Sequence, residues 1–143
     1  DVNEAGRYVN ETGIDSLAIS CGIVHGVMPN LAPEPLALEV AQNIRRVVSI
    51  PLVMHGASGV PDSEIKAVIE AGVSKINADT DLRFAFRKGL EEVWAQGDAQ
   101  LETAMRKGRE YMTEATIEKM KLFGSVSKYP VSDLFSIDPS RKW

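Results

Sequence analysis

A chain of 143 residues is enough for one domain or a piece of one, and 44% hydrophobic with 25% charged residues is ordinary globular composition. Sixteen basic against twenty acidic residues, a net charge of −4, exclude the basic footprint of a nucleic-acid-binding protein. No apolar run approaches the roughly 20 residues of a membrane span. The opening residues carry neither the basic nor the apolar region of a signal peptide. The single cysteine, Cys21, cannot close an internal disulfide, so a reducing, cytoplasmic setting is the expectation.

In chain order, Asn3 to Glu11 reads as a helix stopped by Gly13. From Ile14 to Gly22 apolar residues run almost unbroken, the pattern of a strand buried on both faces. A loop holding Pro29, Pro33 and Pro35 leads to a helix over Leu36 to Val47, with Leu36, Val40, Ile44 and Val47 at helical spacing. The short strand Leu52 to Met54 is followed by the small-residue turn His55 to Val60 and a helix from Pro61. Proline suits a first helical turn, Asp62 and Glu64 complement the dipole there, and Gly72 supplies the stop. A third strand, Val73 to Asn77, feeds the turn Ala78 to Asp81 and a helix through Leu82, Ala85, Phe86 and Trp94. Beyond Gly97 a long helical pattern runs from Leu101 to Phe123, and from Gly124 the tail reads as irregular.

Successive βα units predict an α/β domain with a parallel sheet and helices outside it. Three such strands cannot close the eight-stranded barrel, and left open they bare a face and both edges. The chain is therefore expected to be the C-terminal part of a larger domain. Residues 1–97 read as part of a barrel, and 98–143 as a helical extension and tail of the same domain.

The chemistry gathers at strand ends. His25 and His55, the only two histidines, each close an apolar run and each precede a glycine. They lie thirty residues apart, about one strand–helix–strand unit. Two imidazoles at the same end of neighbouring parallel strands converge, and neutral imidazole is the commonest metal-ligating side chain. A catalytic zinc takes three protein ligands and an open position, so these two supply part of such a site. Two loops adjoin them. Gly56-Ala57-Ser58-Gly59 enters a helix, and Asn77-Ala78-Asp79-Thr80 enters the next. Small residues let backbone N–H groups approach a ligand, and a helix N-terminus favours an anion; the same residue types also serve ordinary turns. Cys21 reads as a small buried residue, Arg45-Arg46 and Arg106-Lys107 as solvated helix faces, and Met105, Met112, Met120 and Phe123 as a packing stripe. Arg83 and Arg87 follow the second loop, where a further anionic group could be met.

Taken together, Asp15-Ser16-Leu17-Ala18, Val24-His25-Gly26, the run from Pro51 through His55-Gly56-Ala57-Ser58-Gly59 to Pro61, and Lys75-Ile76-Asn77-Ala78-Asp79-Thr80 resemble the class II, metal-dependent fructose-bisphosphate aldolases. The resemblance runs from about Asp15 to Ala85 and, more weakly, to Met120-Lys121-Leu122-Phe123-Gly124-Ser125. Tagatose-bisphosphate aldolases share the pattern. The resemblance implies the last three βα units of a TIM (β/α)8 barrel plus C-terminal helices. It also implies reversible, zinc-dependent cleavage of fructose 1,6-bisphosphate to dihydroxyacetone phosphate and glyceraldehyde 3-phosphate. His25 and His55 match two of the family's three zinc-binding histidines. Gly26, Gly56, Ala57, Ser58, Asn77, Ala78, Asp79 and Thr80 match the contacts to dihydroxyacetone phosphate. A monovalent cation near the His-Gly loops and a homodimer or homotetramer are implied as well. The family's remaining zinc histidine and its proton-transferring aspartate belong to an N-terminal half, so no catalytic acid or base is expected within these residues. The loop after His25, Gly26-Val27-Met28-Pro29-Asn30, departs from the family pattern by lacking a Tyr-Lys pair. Ala57 stands where glycine is frequent. A different class of answer is a non-catalytic phosphate-binding or assembly half-barrel.

Overall fold

The computed structural model describes residues 1–21, 35–97 and 100–128. Five helices and three strands follow one another along the described residues, alternating as far as α4: α1 (Val2–Thr12), β1 (Leu17–Ile19), α2 (Leu38–Val47), β2 (Leu52–Met54), α3 (Asp62–Glu70), β3 (Val73–Ile76), α4 (Thr80–Ala95) and then α5 (Leu101–Leu122).

Local chemistry sets the helix ends. The Asp1 carboxylate accepts the N–H groups of Asn3 and Glu4 at 2.8 and 3.1 Å, two of the donors a helix start leaves unpaired. At the other end Gly13 adopts φ 64° and its N–H returns to the Val9 carbonyl, the left-handed close that glycine takes without a Cβ penalty. In α2, Glu39 sits in the first turn and Arg45 and Arg46 in the last, matching the helix dipole. Arg45 also donates to the carbonyls of Val48 and Ile50 at 3.1 and 3.2 Å, closing the turn into β2. It is thus tied to backbone rather than held only in water. Its side chain lies against Gly72 (φ 109°), where a Cβ would come within 2.8 Å of Arg45 Cγ; α3 can stop there only on glycine.

The strands form one parallel sheet in the order β1-β2-β3. Leu17, Ala18 and Ile19 pair with Leu52, Val53 and Met54. On the other side Leu52, Val53 and Met54 face Val73, Lys75 and Ile76, with an irregularity between Leu52 and Val53. The central strand is buried throughout, whereas Ser74 and Lys75 on β3 are exposed. Leu17, Ile19, Cys21, Ala41, Ile44, Leu52, Met54, Ile65, Val68 and Val73 belong to one core, with Val2, Ala5 and Val9 of α1 packed against it. Burial pushes the Cys21 thiol pKa up.

Three sequence expectations change in detail. The first strand is Leu17–Ile19, not Ile14 to Gly22. Helix α2 buries Ala41 and Ile44, while Val40 and Val47 are exposed, because the face toward the sheet is rotated by one residue from the aliphatic row. Of the expected packing stripe, Phe123 packs against the core and Met112 is half-buried, whereas Met105 and Met120 are exposed and the buried residues of α5 are Ala104 and Gly108. Helices α4 and α5 run antiparallel, Asp81 meeting Lys119 at one end and Glu92 meeting Lys107 at the other. They cross so closely that a Cβ on Gly89 would lie 2.6 Å from the Lys107 carbonyl oxygen and one on Gly108 2.9 Å from the Phe86 ring. Among the described residues, no helix is long and apolar enough to cross a membrane.

Candidate active site

Parallel strands place all their C-terminal ends on one side of a sheet, and in α/β proteins that side carries the ligand. Here the ends of β2 and β3 bring together His55 to Ser58 and Asn77 to Thr80. The Asn77 N–H extends the ladder to the Met54 carbonyl at 3.0 Å, and its own carbonyl accepts the Ala57 N–H at 3.3 Å. The two loops are therefore joined through backbone at the point where they leave the sheet. Gly56 and Gly59 take φ 73° and 81°, the left-handed values that turn the first loop sharply before α3. Ala57 is buried between them.

Side chains continue the connection. The Asn77 carboxamide nitrogen lies 3.2 Å from His55 Nδ1 and 3.4 Å from Nε2. The amide nitrogen is a donor and faces the edge of the ring between its two nitrogens, so the imidazole is held against the Asn77 side chain. The Ser58 hydroxyl accepts the Asp81 N–H at 3.2 Å. Asp79, the N-cap of α4, makes no capping hydrogen bond with its side chain, so Ser58 from the neighbouring loop satisfies a first-turn donor instead. A serine oxygen that accepts one N–H still has its own proton to donate. Asp79 is turned outward to Arg83 at 2.7 Å, and Arg87 pairs with Glu91 at 2.6 Å. Both arginines expected near a second anion are thus engaged on exposed α4 surface.

His25 and Gly26 lie outside the described residues. Of the residues singled out in the sequence, His55, Gly56, Ala57, Ser58, Asn77, Ala78, Asp79 and Thr80 occupy two contiguous loops. Direct hydrogen bonds connect His55 with Asn77 and Ala57 with Asn77. No group of three His, Cys, Asp or Glu side chains able to hold a metal occurs among the described residues. The base of the segment that follows β1 is nonetheless anchored: the Ala37 N–H donates to the Cys21 carbonyl at 2.9 Å, and the Leu36 N–H to the Glu64 carboxylate at 2.9 Å. Sequence reading assigned Glu64 to the α3 dipole and missed this second role. It also missed the Asp81–Lys119 ion pair at 2.6 Å. Nothing in local spacing signals either contact, since each joins residues of different helices or loops.

Parallel βα units with a histidine and two small-residue loops at the strand ends define an α/β fold that gathers polar groups at one edge of its sheet. The family model for "Fructose-bisphosphate aldolase class-II" matches residues 1–128, and the chain belongs to that family. Among curated relatives, it is 43% identical over 129 residues to "Uncharacterized protein YdjI" of Escherichia coli K12, covering 90% of this chain and 44% of that protein. It is 37% identical over 127 residues to the sulfofructosephosphate aldolase of Alkalicoccus urumqiensis, covering 87% and 44%. The crystal structure of the YdjI aldolase superposes with a TM-score of 0.77 at 38% identity, over 91% of this chain and 46% of that one. A putative fructose-1,6-bisphosphate aldolase from Coccidioides immitis gives 0.78 at 27%, over 89% and 44%. The chain spans about half the length of the relatives it matches.

Proposed function

We propose that the protein to which these residues belong is a class II ketose-bisphosphate aldolase, and that this chain supplies the last three βα units of a (β/α)8 barrel with residues 98–143 as its helical extension and tail. The observation that carries the reading is the hydrogen-bonded unit His55–Asn77–Ala57 at the ends of β2 and β3, which sets a potential metal donor beside two small-residue loops that each lead into a helix. The substrate is fructose 1,6-bisphosphate, cleaved reversibly to dihydroxyacetone phosphate and glyceraldehyde 3-phosphate. Tagatose 1,6-bisphosphate is the stereoisomeric alternative. The 37% identity to a sulfofructosephosphate aldolase favours a second reading, a ketose phosphate whose far end carries a sulfonate. All three substrates present the same ketose 1-phosphate end.

Each residue has work to do at that end. The N–H groups of Gly56 and Ser58 and the hydroxyls of Ser58 and Thr80 would anchor the phosphate, with Ala57 holding the loop to Asn77, which fixes the reacting carbons relative to the strand ends. Asn77 would hydrogen-bond substrate hydroxyls, as would Asp79 on leaving its exposed pairing with Arg83. The donor chemistry fits zinc: His55 offers an imidazole held against a carboxamide, and His25 corresponds to a second imidazole by resemblance. Bound there, zinc would supply Lewis-acid polarisation of the ketose carbonyl. A monovalent cation near the loops, the aspartate that moves the proton at the C4 hydroxyl, and a homo-oligomeric, cytoplasmic enzyme complete the proposal.

The test is to assay the full-length protein for triose phosphate release from fructose, tagatose and sulfofructose phosphates, with and without a chelator. Chelator-sensitive, zinc-restored cleavage of at least one supports the reading. Undiminished cleavage after metal removal, or none of the three cleaved by zinc-loaded protein, contradicts it.

A further inference from the structure

The Asp81–Lys119 pair stands apart from the other ion pairs among the described residues. Its partners come from the first turn of α4 and the last turn of α5, lie 2.6 Å apart, and have side chains only 29% and 22% exposed. The remaining pairs, all within or between the α-helices, involve side chains at least 33% exposed. Asp81 is also the residue whose N–H is accepted by Ser58, so one residue joins the proposed phosphate loop to the end of α5. The start of α4 carries two carboxylates, Asp79 and Asp81, beside a loop proposed to take a dianion. Each is matched by a cation, Asp79 by Arg83 one turn on and Asp81 by Lys119 from a distant helix. An unmatched carboxylate at that position would repel the phosphate, and the helix dipole alone, worth a fraction of a charge, would not offset it.

We infer that Lys119 is a positioning residue for phosphate binding: it neutralises Asp81 at the head of α4 and thereby lets the Ser58 loop accept an anion. The inference rests on the proposed phosphate role of that loop. It assigns to the C-terminal helix a part in substrate affinity, through Asp81, without contact between Lys119 and substrate. Charge balance, not mere docking of α5, is the claim, and the two are separable because removing both charges restores the balance without restoring the ion pair.

The experiment is a double-mutant cycle on the full-length protein, reading inorganic phosphate binding by calorimetry alongside KM and kcat for the substrate it cleaves. Lys119→Met should weaken phosphate binding and raise KM by roughly fivefold to tenfold, the scale of two unit charges about 3–4 Å apart at the dielectric of water, with kcat little changed. Asp81→Asn/Lys119→Met should return both to near the wild-type values, and Lys119→Arg should retain them. Equal phosphate affinity in wild type and Lys119→Met would overturn the inference. So would a double variant as weak as the single one, which marks docking instead. Failure of the wild-type protein itself to bind phosphate or to be protected by it would instead remove the functional reading on which the inference depends, and the inference with it.

Discussion

At the scale of single residues, chemistry is set by which neighbour satisfies each polar group. Asn77 is the clearest case: its backbone extends the sheet and its side chain meets His55. Asn77→Ala keeps the backbone bonds but removes the side-chain contact with the imidazole. A loss of tenfold or more in metal affinity is expected, the usual range for removing an orienting partner, measured by competition with a chromogenic chelator. Away from the site, Tyr111 donates its O–H to the Glu92 carboxylate, and Lys107 and Lys88 both approach the Tyr111 ring, at 5.2 and 5.6 Å. That hydrogen bond holds the Glu92 carboxyl below its usual pKa against the opposing effect of desolvation, with a lesser contribution from the charge of Lys107. A depressed carboxylate pKa contributes stability that is present above the unfolded carboxylate range and lost as pH falls through the folded value. Tyr111→Phe should therefore lower Tm slightly at neutral pH and by less in acid. An equal decrement at pH 7 and pH 3 would contradict the linkage.

At the scale of elements, burial and close approach decide what each segment tolerates. Leu52 on the central strand is wholly buried, and Leu52→Ala should cost about 2–5 kcal/mol, read from denaturant unfolding. The α4–α5 crossing is more demanding. Gly108→Ala drives a methyl group against the Phe86 ring and carbonyl and should destabilise by about 1–3 kcal/mol; an unchanged midpoint would show that the helices part without cost. These positions also mark where sequence reading held and where it did not. All eight elements announce themselves through caps, stops and periodicity, from Gly13 after α1 to Gly72 after α3. The helix faces were less legible. Val40 and Val47 are larger than Ala41, so hydrophobicity alone pointed to the wrong row of α2. The seam of α5 is made by small residues that permit approach, not by the exposed Met105 and Met120. Strand β1 is shorter than its apolar run because Leu17 to Ile19 are the residues that find partners on β2.

At the scale of the whole molecule, a parallel sheet with helices packed against it sends its strand ends to one side, and the chain's conspicuous loops lie there. That much of the candidate site was readable, since small residues, histidine and helix starts follow one another within single loops. The bonds that lock the loops were not readable: Asn77 to His55, Ser58 to Asp81 and Lys119 to Asp81 join residues 22, 23 and 38 positions apart, and only the register of the sheet and the crossing of the helices bring them together. The proposed function ties activity to metal through His55. The most direct test is zinc content and aldol cleavage in full-length His55→Ala beside the wild type, with circular dichroism to establish that both are folded. The expected result is a folded variant that has lost most of its zinc and its cleavage activity together. A folded variant with full zinc occupancy and normal turnover would contradict the assignment of His55 and, with it, the proposed site.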